Sequence, residues 1–303
     1  SIGNAFHSPA SSAVTPLMVP QDQLTKCAGY NQTMQAAVSL ISPAAAAFLY
    51  SVWSLSTIIL LDIIGAVLAC GVVAVLSIPN PPICPGESQN SFFRDMKEGY
   101  FELKKNKGLF ALLWIGTAYM FFFMPISALY PLMSMGYFRG TPTHASIAEI
   151  AFAGGMLAGG ILLSVWGGFK NRIFSIGLSV LVMGVSIAIS GLLPTNAFFI
   201  FVICCTVMGL TSPFYGVQNA LFQEQLPPEY LGRVFSLLGS VMSFAMPLGL
   251  LCSGIFAERI GVEKWFLLCG IGIIAVAVLV FVLPVLRNVD CQSQNSFARK
   301  SDD

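Results

Sequence analysis

Two acidic residues of this sequence lie inside long apolar runs, where a charge is costly. Asp62 and Glu149 stand about six and four residues from the ends of their runs, roughly 9 and 6 Å along a helix. If the runs cross a membrane, an ionisable side chain within them indicates a functional site by default. Both residues are therefore candidates for binding and releasing a proton. The alternatives are a structural hydrogen bond for Asp62 and, for Glu149, stabilisation by a nearby helix N-terminus.

The other reactive side chains form no recognisable catalytic or metal site. The eight cysteines include no C-x-x-C pair and have no ligand spacing with His7 and His144. The sequence also lacks a Walker-type phosphate loop, which argues against direct coupling to ATP. We predict no metal, no cofactor and no enzymatic activity. A membrane-embedded enzyme, which would need clustered His, Asp or Cys, is the alternative from another class.

The amino-acid composition indicates the class of protein in which these residues are positioned. Of the 303 residues 56% are hydrophobic and 10% are charged, and the mean hydropathy is +0.79. Soluble domains carry about 25% charged residues. The net charge of +1 gives no attraction for nucleic acid. These values exclude a soluble enzyme, a nucleic-acid binder and a disordered chain, and they predict an all-α polytopic membrane protein.

Eight apolar runs are long enough to span a bilayer, which needs about 20 residues per helix. A shorter, more polar segment, Ser1–Val19, precedes them, and we interpret it as the end of a further span. The sequence thus predicts about eight whole helices and one partial helix, with the whole runs at about 28–50, 56–78, 109–133, 145–167, 173–193, 197–217, 234–257 and 265–287.

Basic residues fall unevenly on the two sides of these runs. Numbering the loops alternately places twelve Lys and Arg on one side and three (Arg139, Arg259 and Lys264) on the other. Basic residues are enriched in cytoplasmic loops. The bias predicts a multi-pass protein of the bacterial cytoplasmic membrane whose C-terminal tail is cytoplasmic.

A weak internal repeat divides the chain. The string V-P-Q-D-Q-L-T-K at 19–26 matches L-P-P-E-Y-L-G-R at 226–233, and each copy precedes a run with a proline, Pro43 or Pro247. Parallel repeats are typical of transporters with two similar halves. We predict a remnant of the first half at 1–78, a central cytoplasmic loop at 79–108, a complete six-helix half at 109–287 and a tail at 288–303. On this scheme the chain is an N-terminally truncated piece that would insert into a membrane but export nothing alone.

Longer strings carry a family resemblance. S-I-G-N-A-F-H-S-P-A at 1–10, V-P-Q-D-Q-L-T-K-C-A-G-Y at 19–30, A-L-F-Q-E at 220–224 and P-E-Y-L-G-R-V-F-S-L at 228–237 resemble the macrolide efflux proteins of bacteria, in the major facilitator superfamily. The resemblance implies two six-helix halves, of which the first is incomplete here, and proton-driven export of macrolide antibiotics by alternating access. Export of another amphiphile, such as a siderophore or another drug, remains the alternative because the fold does not fix the substrate.

The resemblance also suggests which residues act. The first and fourth helices of each half line the cavity in this fold, which gives as substrate candidates Asn4, His7, Tyr119, Phe122, Phe123, Gln218 and Asn219. The repeated inner strings, the loop G-G-F-K-N-R and the two prolines give as gating or hinge candidates Asp22, Lys26, Pro43, Lys170, Arg172, Glu229, Arg233 and Pro247. Core packing and helix-supporting i, i+4 pairs are the structural alternatives. The expected partners are a macrolide-type molecule, protons and membrane lipid, for a monomer without nucleic acid.

Overall fold

The structure is a computed structural model that describes residues 18–20, 23–24, 26–31, 33–35, 37–38, 41–42, 53–75, 92–169 and 171–286. These residues contain helices and no strand. The described residues between 24 and 42 are helical. The longer helices are α1 Leu55–Val75, α2 Phe92–Lys105, α3 Lys107–Leu132, α4 Pro142–Trp166, α5 Arg172–Leu192, α6 Phe198–Tyr215, α7 Val217–Gln225, α8 Pro228–Ile260 and α9 Val262–Val282.

Six helical segments of the described chain are long and apolar enough to cross a membrane. They correspond to the six runs predicted between 109 and 287, so the all-α polytopic class is confirmed. The described helix α1 falls within the run predicted at 56–78. The run at 28–50 is described only in part, and Ser1–Leu17 and the tail lie outside the described residues. The division into domains stays a prediction.

Helix ends differ from the predicted runs for local reasons. Pro213 lies near the end of α6, and Gly216 separates α6 from the short helix α7, so the predicted run at 197–217 gains a second helix. Helix α8 has 33 residues, beginning at Pro228 rather than at 234. Proline is favoured in the first turn because its missing N–H needs no partner there. At about 1.5 Å per residue, α8 exceeds the thickness of a bilayer core and must protrude from it.

Small residues let the helices approach closely. A Cβ added at Gly155 or Gly159 of α4 would collide with the backbone of α6 at Thr206 or Leu210. Small residues at helix interfaces are typical of membrane bundles, where backbone contact replaces the hydrophobic driving force. Gly155 and Gly159, which are four residues apart on one side of α4, therefore serve packing, whereas Gly154 faces open space.

Successive loops gather at opposite ends of the bundle. At one end Tyr137 Oη donates a hydrogen bond of 2.6 Å to the carbonyl of Leu193, and the rings of His144 and Phe198 lie 4.8 Å apart. At the other end Asn106 Nδ2 donates to Gln225 Oε1 over 3.2 Å. This arrangement agrees with the alternation of loops in the sequence. We call the two ends outer and inner, following the predicted orientation.

Candidate functional site

An ion pair holds the inner end of the bundle together. The guanidinium of Arg172, at the start of α5, lies 3.1 Å from the carboxylate of Glu224 in α7. The Glu224 side chain is 2% exposed and that of Arg172 is 15% exposed. Arg172 also lies 3.5 Å from the carbonyl of Gly167, which ends α4 in the left-handed conformation. Arg172 thus links the ends of three helices.

The segment before α1 crosses α4 near the same point. The side chain of Lys26 lies close to Gly167, with Cε 3.6 Å from the position of an added Cβ. One turn further, an added Cβ on Gly29 would lie 2.7 Å from Ser164 N. The structure therefore brings the hinge candidates Lys26 and Arg172 to one corner, around the end of α4.

Two glycines and two hydroxyl residues make this crossing close. Gly29 faces Ser164, and Gly160 faces Thr33 so closely that an added Cβ would collide with its hydroxyl. Each hydroxyl donates to the carbonyl four residues earlier in its own helix: Thr33 to Gly29 over 2.9 Å and Ser164 to Gly160 over 2.7 Å. The hydroxyls are thereby satisfied internally, which leaves the two helix surfaces free to slide or separate.

The second inner string reaches a different helix. Arg233, near the start of α8, forms an ion pair of 3.1 Å with Glu98 of α2. A Cβ added at Gly99 would lie 2.9 Å from the carbonyl of Arg233, so the two helices touch at backbone level. The predicted i, i+4 partner, Glu229, is placed in α8, but its side chain is not among the described ones.

The aromatic candidates of α3 mostly pack inside the bundle. Tyr119 is 2% exposed and stacks on Phe123 with ring centroids 5.4 Å apart. Phe123 in turn lies 6.5 Å from Phe152 of α4, and Phe122 packs on Gly272 of α9. Phe122 and Phe123 are half-buried, so part of each ring is accessible.

The amide candidates of α7 separate into one buried and one exposed residue. Gln218 is buried and its Nε2 donates to the carbonyl of Leu112 in α3 over 3.2 Å. The neighbouring residue, Asn219, is exposed. Gln218 thus joins two helices, whereas Asn219 has a side chain that a ligand can reach.

The structure describes the two acidic candidates only in part. Glu149 is exposed near the outer end of α4, and the described part of the chain does not bury it. Asp62 lies within α1, but its side chain is not described, and Pro247 of α8 is exposed. The remaining candidates lie outside the described residues: Asn4, His7, Asp22, Pro43 and Lys170.

Sequence reasoning missed both acidic partners of the inner arginines. Glu224 is not among the candidates that the sequence predicts, yet its side chain is buried, and the residue with which it pairs is 52 positions away. Glu98 is one of several charged residues in the central loop. The signal available for Glu224 was its position two residues after the apolar stretch A-L-F. No group of three potential metal ligands occurs among the residues that the structure describes.

Comparison with known proteins assigns this bundle to a class. The sequence profile of the Major Facilitator Superfamily matches residues 1–249 and 115–298. The chain belongs to this superfamily and is a multi-pass membrane transporter.

Individual proteins of similar sequence are more informative than the superfamily. The chain is 57% identical over 291 residues to Macrolide efflux protein A of Streptococcus pyogenes, covering 96% of this chain and 72% of that protein. It is 58% identical over 251 residues to Macrolide efflux protein A of Enterococcus faecalis, covering 82% and 78%. Multidrug efflux pump Tap of Mycolicibacterium fortuitum is 29% identical over 175 residues, covering 57% and 42%. These similarities support a drug exporter and confirm the resemblance drawn from the sequence strings.

Proposed function

We propose that the protein is a proton-coupled secondary exporter of macrolide antibiotics that works by alternating access. The observation that carries the proposal is the identity of 57% over 96% of the chain to a protein named for macrolide efflux. The alternative is export of another amphiphile, such as a different drug or a siderophore, and the similarity to a protein named as a multidrug pump favours a drug. We place the protein in the bacterial cytoplasmic membrane as a monomer, with its tail cytoplasmic.

The aromatic part of α3 supplies a surface that suits such a substrate. Phe122 and Phe123 are half-buried, so their accessible faces can contact the apolar ring of a macrolide. A ring face also attracts the protonated amine of a drug. Tyr119 is buried and stacked on Phe123, so its proposed role is to fix the orientation of that ring. Asn219, exposed on α7, can hydrogen-bond a polar group of the substrate.

Proton coupling is assigned to Glu149. Its exposed carboxylate lies near the outer end of α4, where it can take up a proton from the outer side. Neutralisation of an acid removes most of the cost of placing it deeper in a low-dielectric region. Loading with a proton would therefore favour the conformation in which the other half of the transporter covers this residue. Asp62 of α1 is the second candidate.

The inner ion pairs provide a gate. Separation of the helices around Gly167 would expose Arg172 and Glu224 to water, which replaces the lost pairing. A buried ion pair gains little over its solvated charges, because desolvation offsets the Coulomb attraction. Such a pair can close and open at small net cost. Lys26, Arg172 and Arg233 are the basic members of this proposed gate.

Drug uptake into everted membrane vesicles tests the proposal. The vesicles come from bacteria that express the native gene with its natural upstream sequence, and a proton gradient whose acidic side is the vesicle lumen energises them. We expect erythromycin to accumulate well above the weak-base uptake of vesicles that lack the protein, and a protonophore to abolish this difference. Accumulation that ignores the protonophore contradicts proton coupling, and accumulation of a siderophore but not erythromycin favours the alternative.

A further inference from the structure

Helix α2 of the central loop has one face packed against the bundle. Leu103 is fully buried and Gly99 is buried against the backbone of Arg233 in α8. Met96 and Tyr100 pack beside them against the core. These residues recur every three or four positions, which defines one side of a helix. This side holds α2 at the inner end of α8, close to Tyr230, where the apolar segment of α8 begins.

The opposite side of α2 is basic and carries one aromatic ring. Lys97, Phe101, Lys104 and Lys105 are all exposed, Phe101 to 52% and the Lys105 side chain to 71%. Their spacing of i, i+4, i+7 and i+8 places them within roughly a third of the helix circumference. We call these four residues the basic face of α2.

The two acidic residues of α2 whose side chains are described, Glu98 and Glu102, compensate this charge only in part. Glu98 pairs with Arg233 of α8. Glu102 pairs with Lys105 and raises the pKa of that lysine, which therefore stays charged. The amine of Lys97 lies 6.0 Å from the ring of Phe101, and that of Lys104 lies 5.9 Å from the ring of Tyr100. Neither Lys97 nor Lys104 forms an ion pair with another side chain in the described part of the chain.

The basic face continues into a neighbouring cavity. A cavity of about 480 Å³ opens where α2 meets α3, and Lys105 and Lys107 lie on its wall. Leu226, Pro227 and Pro284 form an apolar part of the same wall. Cationic groups beside an apolar surface match an anionic group attached to an apolar chain.

We propose that the basic face of α2 binds the anionic phospholipid headgroups of the inner membrane leaflet. Amphipathic helices with lysines around an aromatic residue lie in the membrane interface and are attracted to anionic lipid. The position of α2 beside the start of the apolar segment of α8 puts its basic face at headgroup depth. A single ring among three lysines matches a lipid surface, whereas a protein interface is usually depleted of lysine and richer in apolar anchors.

Lipid quenching of a tryptophan placed in this face tests the proposal. Phe101→Trp protein and wild-type protein, which has four tryptophans, are reconstituted in nanodiscs of phosphatidylcholine and phosphatidylglycerol. One lipid carries brominated chains and the other does not, and the fluorescence of wild type is subtracted. We expect brominated phosphatidylglycerol to quench the introduced tryptophan roughly twofold or more above the same mole fraction of brominated phosphatidylcholine.

Charge variants distinguish anionic binding from mere proximity to the membrane. Each lysine near an anionic surface contributes about a fivefold preference for anionic over neutral lipid. The substitutions K97Q/K104Q/K105Q in the Phe101→Trp protein should therefore make the two brominated lipids quench equally. High salt should act in the same direction. Lys264→Gln, at the outer end of α9, is the matched control and should change nothing. Equal quenching without the charge variants, or no quenching by either lipid, would overturn the proposal; the latter outcome would point to a protein partner.

Discussion

Arg172 and Glu224 form an ion pair of 3.1 Å that connects the start of α5 to α7, the helix preceding α8. Both side chains are largely withdrawn from water. Arg172 also contacts the carbonyl of Gly167, where Lys26 of the segment before α1 meets the C-terminal bundle. We therefore expect the exposure of this pair to water to change when the inner end opens.

Removing one member of this pair should be worse than removing both. Arg172→Gln leaves the buried carboxylate of Glu224 without its cation, which costs about 3–5 kcal/mol for a buried pair. We expect lower thermal stability and loss of export, with most of the stability restored in R172Q/E224Q. Lys264→Gln, an exposed lysine, is the control. Equal stability of the single and double variants, by thermal unfolding in detergent, would show that the pairing is unimportant.

The crossing of Gly160 and Thr33 should be sensitive to a single methyl group. In Gly160→Ala the new Cβ meets Thr33, including its backbone nitrogen at 2.9 Å, so the two segments must move apart. Gly154→Ala meets nothing within 4 Å and removes a residue of low helix propensity, which makes it a matched control. We expect roughly tenfold slower drug export for Gly160→Ala, with Gly154→Ala unchanged or slightly more stable. Similar export rates for the two variants would count against a close crossing.

Glu149→Gln tests the assignment of proton coupling. The amide cannot gain or lose a proton, so drug efflux from preloaded vesicles should no longer accelerate when an inward proton gradient is imposed. Drug binding without a gradient should persist because glutamine keeps the size and the polar character of the side chain. Glu258→Gln, another exposed acid near the outer end of a helix, should respond to the gradient as wild type does. A gradient response that survives Glu149→Gln would remove this residue from the mechanism.

Tyr119 and Asn219 should give opposite kinds of defect. Tyr119 is buried, so Tyr119→Ala leaves a cavity and should lower the free energy of unfolding by about 3–5 kcal/mol. Asn219 is exposed, so Asn219→Ala should change stability by less than about 0.5 kcal/mol. If Asn219 contacts the drug, the KM for erythromycin should rise without loss of folded protein. Parallel measurements of unfolding and transport kinetics check both expectations; a stable Tyr119→Ala protein would contradict the packing role.

The membrane bundle could be predicted from the sequence because its requirements are local. A span needs about twenty apolar residues, and each of the six spanning segments between 107 and 282 meets this requirement on its own. Gly155 and Gly159 likewise predict close packing from their spacing. The apolar run predicts a shorter helix than α8, because the first turns of α8, P-E-Y-L-G-R, are more polar and extend beyond the apolar run.

The contacts at the inner end could not be predicted in the same way. Periodicity places Arg172 or Arg233 at a helix end but does not select a partner, and Glu224 and Glu98 are two of 14 acidic residues. Gly160 is part of a small-residue pattern, yet only the three-dimensional arrangement shows that it faces Thr33 whereas Gly154 faces open space. The orientation of the aromatic rings of α3 could not be predicted either, because consecutive residues point in all directions around a helix.

Drug-driven proton movement in proteoliposomes tests the central claim most directly. Purified protein is reconstituted in liposomes that contain a pH-sensitive dye, with no proton gradient imposed, and erythromycin is added outside. An exchanger that moves drug inward must move protons outward, so the account predicts that the lumen becomes more alkaline, faster than in protein-free liposomes, where the drug enters only as a weak base. The Glu149→Gln protein should behave like the protein-free liposomes. A lumenal pH change identical with and without the wild-type protein would contradict proton-coupled drug export.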